Sequence, residues 1–171
     1  MRQLVVYFSR EGNNYVSGSI INLVEGNTKR VAHLIQQVTN ADIFEIQPLH
    51  GYDKDYDICT QEALQEKNKQ ARPVLLTYVP DFKKYDVIYL GYPNWWGTCP
   101  MPIFSFLEQH ILKDKVVYPF CTHEGSGLGS SIQDIQKVCP DANIQEGLAI
   151  LGSKVVVSNK EVKRWLQNVS I

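Results

Sequence analysis

The chain has 171 residues, 17 Lys+Arg against 18 Asp+Glu, a formal net charge of −1, four Cys and 44% hydrophobic residues. That length suits a single domain, residues 1–171, since domains cluster near ~100–150 residues, and it can bury a core without disulfides or metals. The composition excludes a disordered chain, no run reaches the ~18 apolar residues of a membrane span, and the interleaved charges argue against a nucleic-acid partner.

Cys59, Cys99, Cys121 and Cys139 form no C-x-x-C pair, so neither a zinc site nor a thioredoxin-like motif is expected. With no export pattern over the first residues, scattered thiols point to a reducing, cytoplasmic location.

Residues 4–8, Leu-Val-Val-Tyr-Phe, form a short apolar run of the kind buried on both faces of a parallel sheet. Similar runs follow at 87–90, 116–121 and 148–151, with a weaker one at 42–47 that Pro48 ends. Helical stripes lie between them. Val31, Leu34, Ile35 and Val38 fall at i, i+3, i+4 and i+7. Residues 55–69 are expected to be helical through Ile58, Ala63 and Leu64. Pro102 opens a helix running to Ile111. Ile132, Ile135 and Val138 mark another, stopped by Pro140. Ser158 with Glu161 reads as a capping box before Val162, Trp165, Leu166 and Val169. The alternation β-α-β-α-β-α-β-α-β-α predicts an α/β doubly wound fold, with helices on both faces of a parallel sheet.

Ligands of such sheets bind at the carboxyl ends of the strands. Three loops there stand out. The first holds Ser9-Arg10-Glu11-Gly12 and, further on, Gly26-Asn27-Thr28, where Asn27 or Thr28 can cap the next helix and leave N–H groups for an anion. The second is the run from Gly91 to Pro102, with Pro93-Asn94-Trp95-Trp96-Gly97 at its centre. Neighbouring side chains in extended backbone point opposite ways, so one Trp covers the core edge and the other offers a flat face. The third runs Cys121-Thr122-His123-Glu124-Gly125-Ser126-Gly127-Leu128-Gly129-Ser130-Ser131. It misses the dinucleotide pattern G-x-G-x-x-G because position 130 is Ser, and it follows the fourth strand. His123 is a proton donor, a hydrogen-bond donor or a plain surface residue. Cys99 and Cys121 are reactive thiols or small buried hydrophobes.

Together these loops resemble the flavodoxin-like family, over the whole chain. The matches are Val6-Tyr7-Phe8-Ser9-Arg10, Gly26-Asn27-Thr28 and Leu90-Gly91-Tyr92-Pro93-Asn94-Trp95-Trp96-Gly97. The resemblance implies a five-stranded parallel sheet of order 2-1-3-4-5, of the short flavodoxin type, and a non-covalently bound FMN. It implies that Ser9, Asn27 and Thr28 hold the 5′-phosphate, with Arg10 beside them. Pro93, Asn94, Trp95, Trp96 and Gly97 then wall the isoalloxazine ring, and Thr122, His123, Gly125, Ser126 and Gly127 line its other edge. No metal site and no assigned catalytic residue follow.

Two departures from the family pattern stand out. The phosphate loop is split by residues 10–25, an apolar stretch expected to cap the flavin, pack on the core or contact a second subunit as a homodimer. The other register, Ser9 to Asn14 as a compact loop, places Asn14 where Thr is expected. The net charge is also far from the acidity of shuttle flavodoxins, which steers them to basic partners. The expected function is FMN-dependent electron transfer to a partner protein. The alternatives are an NAD(P)H-dependent reductase of quinones or similar small acceptors, and a flavin-free scaffold.

Overall fold

The computed structural model describes residues 1–169. Its central sheet is built from β1 (Gln3–Tyr7), β4 (Asp42–Glu45), β5 (Val87–Pro93), β6 (Val116–His123) and two short pieces, β7 (Asn143–Ile144) and β8 (Leu148–Leu151). The order is β4-β1-β5-β6, with β7 and β8 both on the outer side of β6, and all pairings are parallel. This is the expected doubly wound sheet, its fifth position shared by two pieces. β7 pairs with Val116 and Val117, while β8 begins opposite Phe120. The break falls at Tyr118-Pro119, and proline brings no N–H to a ladder.

β1, β5 and β6 carry apolar side chains on both faces because helices cover both. On one face Leu4, Val6, Ile88, Leu90 and Tyr92 pack with Ile103, Phe106 and Leu107 of α3 (Met101–Gln109) and Ile135 of α4 (Ser131–Val138). On the other, Val5, Tyr7, Val87, Tyr89 and Phe120 pack with Val31, Ala32 and Ile35 of α1 (Asn27–Thr39) and Val162 of α5 (Asn159–Asn168). Each such side chain contributes roughly 1.5–3 kcal/mol of burial before entropy is set against it.

Several local expectations change. α2 (Tyr56–Lys69) starts from Asp55, whose carboxylate accepts the Ile58 N–H at 3.0 Å. Its inward face is Cys59 and Ala63, and Ile58 points outward. The Ser158–Glu161 box does not form: the Ser158 hydroxyl donates to the Val155 carbonyl at 2.7 Å, within a 3-10 turn over Gly152–Val157. Residues 10–25 are not a loop. They hold an antiparallel hairpin, β2 (Gly12–Val16) and β3 (Ser19–Leu23), turned by Ser17 and Gly18, both at positive φ. Tyr15, Ile20, Ile21 and Val24 are exposed on it, so it does not pack into the core.

Gly91 shows how tightly the central strands fit. A Cβ there would lie 2.1 Å from the ring of fully buried Phe120. Gly91→Ala is expected to lower stability by about 1–3 kcal/mol, as overpacking does. A shift of the urea midpoint at constant m value checks it.

Candidate functional site

The carboxyl ends of β1, β5 and β6 open on one edge of the sheet. At the end of β1 the backbone passes so near the start of α1 that only glycine fits at position 26. A Cβ there would stand 2.2 Å from Ser9 Oγ and 2.7 Å from the Arg10 carbonyl. Gly26, rather than Asn27 or Thr28, is the N-cap residue. Ser9 supplies the cap from a distance, its hydroxyl accepting the Lys29 N–H at 3.1 Å. The N–H groups of Asn27 and Thr28 precede the helical ladder, at the positive end of the helix dipole. The Thr28 and Thr122 hydroxyls share a buried hydrogen bond of 2.7 Å that fastens α1 to β6. Ser9, Arg10, Asn27, Thr28, Pro93 and Thr122 line a cavity of about 130 Å³ here.

A second cavity of about 490 Å³ adjoins it, sharing Arg10, Asn94, Trp95 and His123 with the first, and adding Trp96, Gly97 and Ser126. The two tryptophans divide as expected, with one addition. Trp95 lies at the core edge, its ring edge-on to Phe8 at 5.3 Å and to Tyr52 at 4.8 Å between centroids. Trp96 is 46% exposed, yet it is fixed. Its indole N–H donates to the Thr60 carbonyl at 2.9 Å, and its own carbonyl accepts from Lys67 at 2.6 Å, both on α2.

The loops after β5 and β6 are knitted together. Asn94 donates to the Gly127 carbonyl at 2.8 Å and accepts the Gly97 N–H at 2.9 Å. Ser130 N–H reaches the Gly97 carbonyl at 2.8 Å. The Asp134 carboxylate accepts from Thr98 in one loop at 2.8 Å and from Ser130 in the other at 2.7 Å. Partial burial works against its ionisation, but the hydrogen bonds from Ser130, Thr98 and Lys137 outweigh it and hold the carboxyl below its ordinary value.

Gly125 and Gly127, also expected at the site, line neither cavity and serve it through hydrogen bonds to residues that do. Gly127 offers the carbonyl that Asn94 uses, and Gly125 N–H donates to His123 Nδ1 at 2.9 Å. An accepting Nδ1 puts the proton of the neutral ring on Nε2. Arg10 lines both cavities, but its guanidinium is bonded to the carbonyls of Asn13, Asp53 and Lys54. The thiols of Cys99 and Cys121 are buried, and burial raises both, that of Cys121 to about 12, which marks them as packing residues.

Three further walls complete the site; of these, only α2 has no place among the sequence expectations, since capping of the flavin is one alternative for residues 10–25 and Glu124 lies in the loop expected to line the ring. α2 contributes Tyr56, Cys59, Thr60 and Ala63 to the larger cavity. The hairpin contributes Asn14 and Tyr15, and Tyr15 stacks on Tyr56 at 6.4 Å. Glu124 lines both cavities and accepts the Ser17 N–H at 3.1 Å. The Ser17-Gly18 pair was a hairpin signal open to the sequence; α2 as a wall had none. The hairpin also borders a cavity of about 880 Å³ that reaches Glu45, Ile46 and Tyr52 and meets the first at Ser9 and Arg10.

Asp134→Asn should loosen the tie between the two loops, at about 1–2 kcal/mol of stability. The wild-type contribution has a definite pH window. A carboxyl held low in the folded chain stabilises above its unfolded value and loses that contribution as pH falls through the folded value. The wild type and Asp134→Asn should therefore differ at neutral pH and converge in acid, below the ordinary carboxylate range. Thermal unfolding at pH 7 and pH 3 checks both.

A model of the flavodoxin family matches residues 2–169. Among solved structures, the chain is similar to a Bacteroides eggerthii protein assigned as a flavoprotein, with 29% identity, a TM-score of 0.80, and 99% of this chain and 98% of that one covered. It is also similar to a Bacteroides uniformis protein assigned likewise, at 26% identity and TM-score 0.74, with 97% of each chain covered. A Lactobacillus acidophilus flavoprotein in complex with FMN shares the fold at 22% identity and TM-score 0.69, over 96% of this chain and 98% of that one. No curated protein matches.

Proposed function

The chain belongs to the flavodoxin family, and we propose that it binds FMN non-covalently and works as an electron-transfer flavoprotein. The observation that carries this reading is the junction of the two cavities. A cradle of hydroxyls and helix-start N–H groups, made by Ser9, Asn27 and Thr28, opens directly on a slot walled by Trp95 and Trp96. The donor set suits a phosphate, and the indoles suit a flat ring. The cradle also needs Gly26, whose missing side chain leaves room for Ser9.

FMN, when bound, supplies the redox chemistry. The residues of this chain would do the rest. Ser9, with the Asn27 and Thr28 N–H groups, would hold the phosphate. Asn94 and Gly97, held by their own hydrogen bonds, would fix the loop at the ring edge, and His123 would offer Nε2–H beside it. Trp95, fixed by Phe8 and Tyr52, would keep water from one side of the ring. An apolar wall of this kind favours the neutral oxidised ring over an anionic reduced one. Each tenfold preference lowers a one-electron potential by about 59 mV.

A second reading draws on the wall from α2 and on the charge. Tyr56, Cys59, Thr60 and Ala63 make the slot a small-molecule cavity, and a net charge of −1 gives little steering toward a basic protein. These favour an enzyme that oxidises NAD(P)H and reduces a quinone or similar acceptor. Stopped-flow mixing with NAD(P)H separates the two: rapid flavin bleaching supports the reductase, and its absence the carrier.

FMN should quench the tryptophan emission at stoichiometric ratio, with riboflavin binding more weakly for lack of the phosphate. Trp95→Ala should weaken FMN about 3–10-fold, the worth of one aromatic contact, and raise the potential. Tryptophans indifferent to FMN would overturn the reading, and an unchanged potential in Trp95→Ala would remove the role given to that wall.

A further inference from the structure

Glu124 is the feature of the site that flavin binding does not explain. It follows His123 at the end of β6 and lines both cavities. One carboxylate oxygen accepts the N–H of Ser17 at the hairpin tip. The other, Oε1, is buried and has no hydrogen-bond partner among the described residues. It lies in the space that Gly152 leaves open: a Cβ at 152 would stand 2.2 Å from Oε1 and 2.8 Å from the side-chain Nδ2 of Asn27. A buried carboxylate oxygen without a partner is costly. Its surroundings point to the start of α1. It sits beside Asn27, the first residue of α1, at the positive end of the helix.

We propose that Glu124 is a latch displaced by phosphate: its carboxylate stands in for an anion in the Ser9–Asn27–Thr28 cradle while holding the hairpin closed through Ser17. The inference rests on the phosphate end of the reading above. A cavity of about 130 Å³ brings any second anion within a few ångströms of this carboxylate. Two like charges at that separation repel strongly in a partly dry site. Phosphate entry therefore drives Glu124 out of the cradle, and the Ser17 N–H loses its acceptor. The hairpin tip loses its tie to β6 at Ser17, while Arg10 still holds the base and the Tyr15–Tyr56 stack limits how far the turn moves. Glu124 thus sets the selectivity of the site against phosphorylated ligands and couples their entry to the lid.

Glu124→Gln keeps the shape and an acceptor for Ser17 but removes the charge. Binding of FMN and riboflavin is measured by tryptophan quenching in both proteins, and hydrogen exchange at the Ser17 amide is followed in the wild type with inorganic phosphate. The variant should bind FMN roughly 5–10-fold more tightly, within the range of typical coupling between sites, with riboflavin unchanged. Phosphate should speed exchange at Ser17 in the wild type. Equal shifts for both flavins, in either direction, or no shift at all, overturn the proposal, as does Ser17 exchange indifferent to phosphate. If neither flavin quenches but phosphate still releases Ser17, the latch stands and the flavin reading fails.

Discussion

The site depends on how closely two backbones approach. A Cβ at Gly129 would lie 2.1 Å from the Gly97 carbonyl oxygen, and Gly129 also sits at a φ of 54°. Only glycine meets both demands without strain. That contact brings the loop after β6 within reach of the loop after β5. Ser130 then bonds to Gly97, Asn94 to Gly127, and Asp134 to both loops at once. Asn94 is thereby fixed, and Trp95 after it is held against Phe8 at the end of β1. Three strands, three loops and one close contact define a rigid edge, the condition under which a site holds its geometry.

α2 and the hairpin are added to that edge by polar ties more than by burial. α2 buries only Cys59 and Ala63. Its position is set by Trp96 on the Thr60 carbonyl, Lys67 on the Trp96 carbonyl, and Tyr52 donating to Glu66 at 2.5 Å. Each such bond contributes about 1 kcal/mol net. The hairpin is held more lightly still, by Arg10, one aromatic stack and Glu124. Elements with few buried apolar contacts open at low free energy, and here they are the elements that wall the cavities from outside the sheet. The sheet supplies the half held by burial, and these two supply the half held by polar ties.

This division also decides what could be read from the sequence. β1, β5 and β6 are buried on both faces, so they appear as unbroken apolar runs, and the loops after them carry residues whose positions have meaning: glycine, proline, paired tryptophans. The hairpin was illegible as structure because both of its faces meet solvent. Asn13, Tyr15, Ile20 and Asn22, partners on one face, mix polar with apolar side chains, and only Ser17-Gly18 marks its turn. The capping box failed for a local reason, since the 3-10 turn places the Val155 carbonyl within reach of the Ser158 hydroxyl before any helix N–H. Glu124 falls in the loop expected to line the site, but nothing in the sequence singles it out. Its surroundings are assembled from Ser17, Asn27 and Gly152, which only the fold brings together.

The two ends of the joined cavities differ in kind, and under the proposed reading that difference would orient a ligand. At the start of α1 are hydroxyls and N–H groups with a positive field. At the Trp95–Trp96 end are flat apolar faces already fixed by Phe8, Tyr52 and α2. A molecule with an anionic tail and a planar head satisfies both ends in one direction only. Reversing it would leave the anion against indole and the helix-start donors against an apolar ring, and both mismatches cost free energy through unpaired polar groups. Because Trp95 and Trp96 are held by protein contacts, little side-chain freedom remains to be lost when a ligand arrives. In the proposed reading, orientation would therefore come from the chain itself, from the end of β1 and the loop after β5.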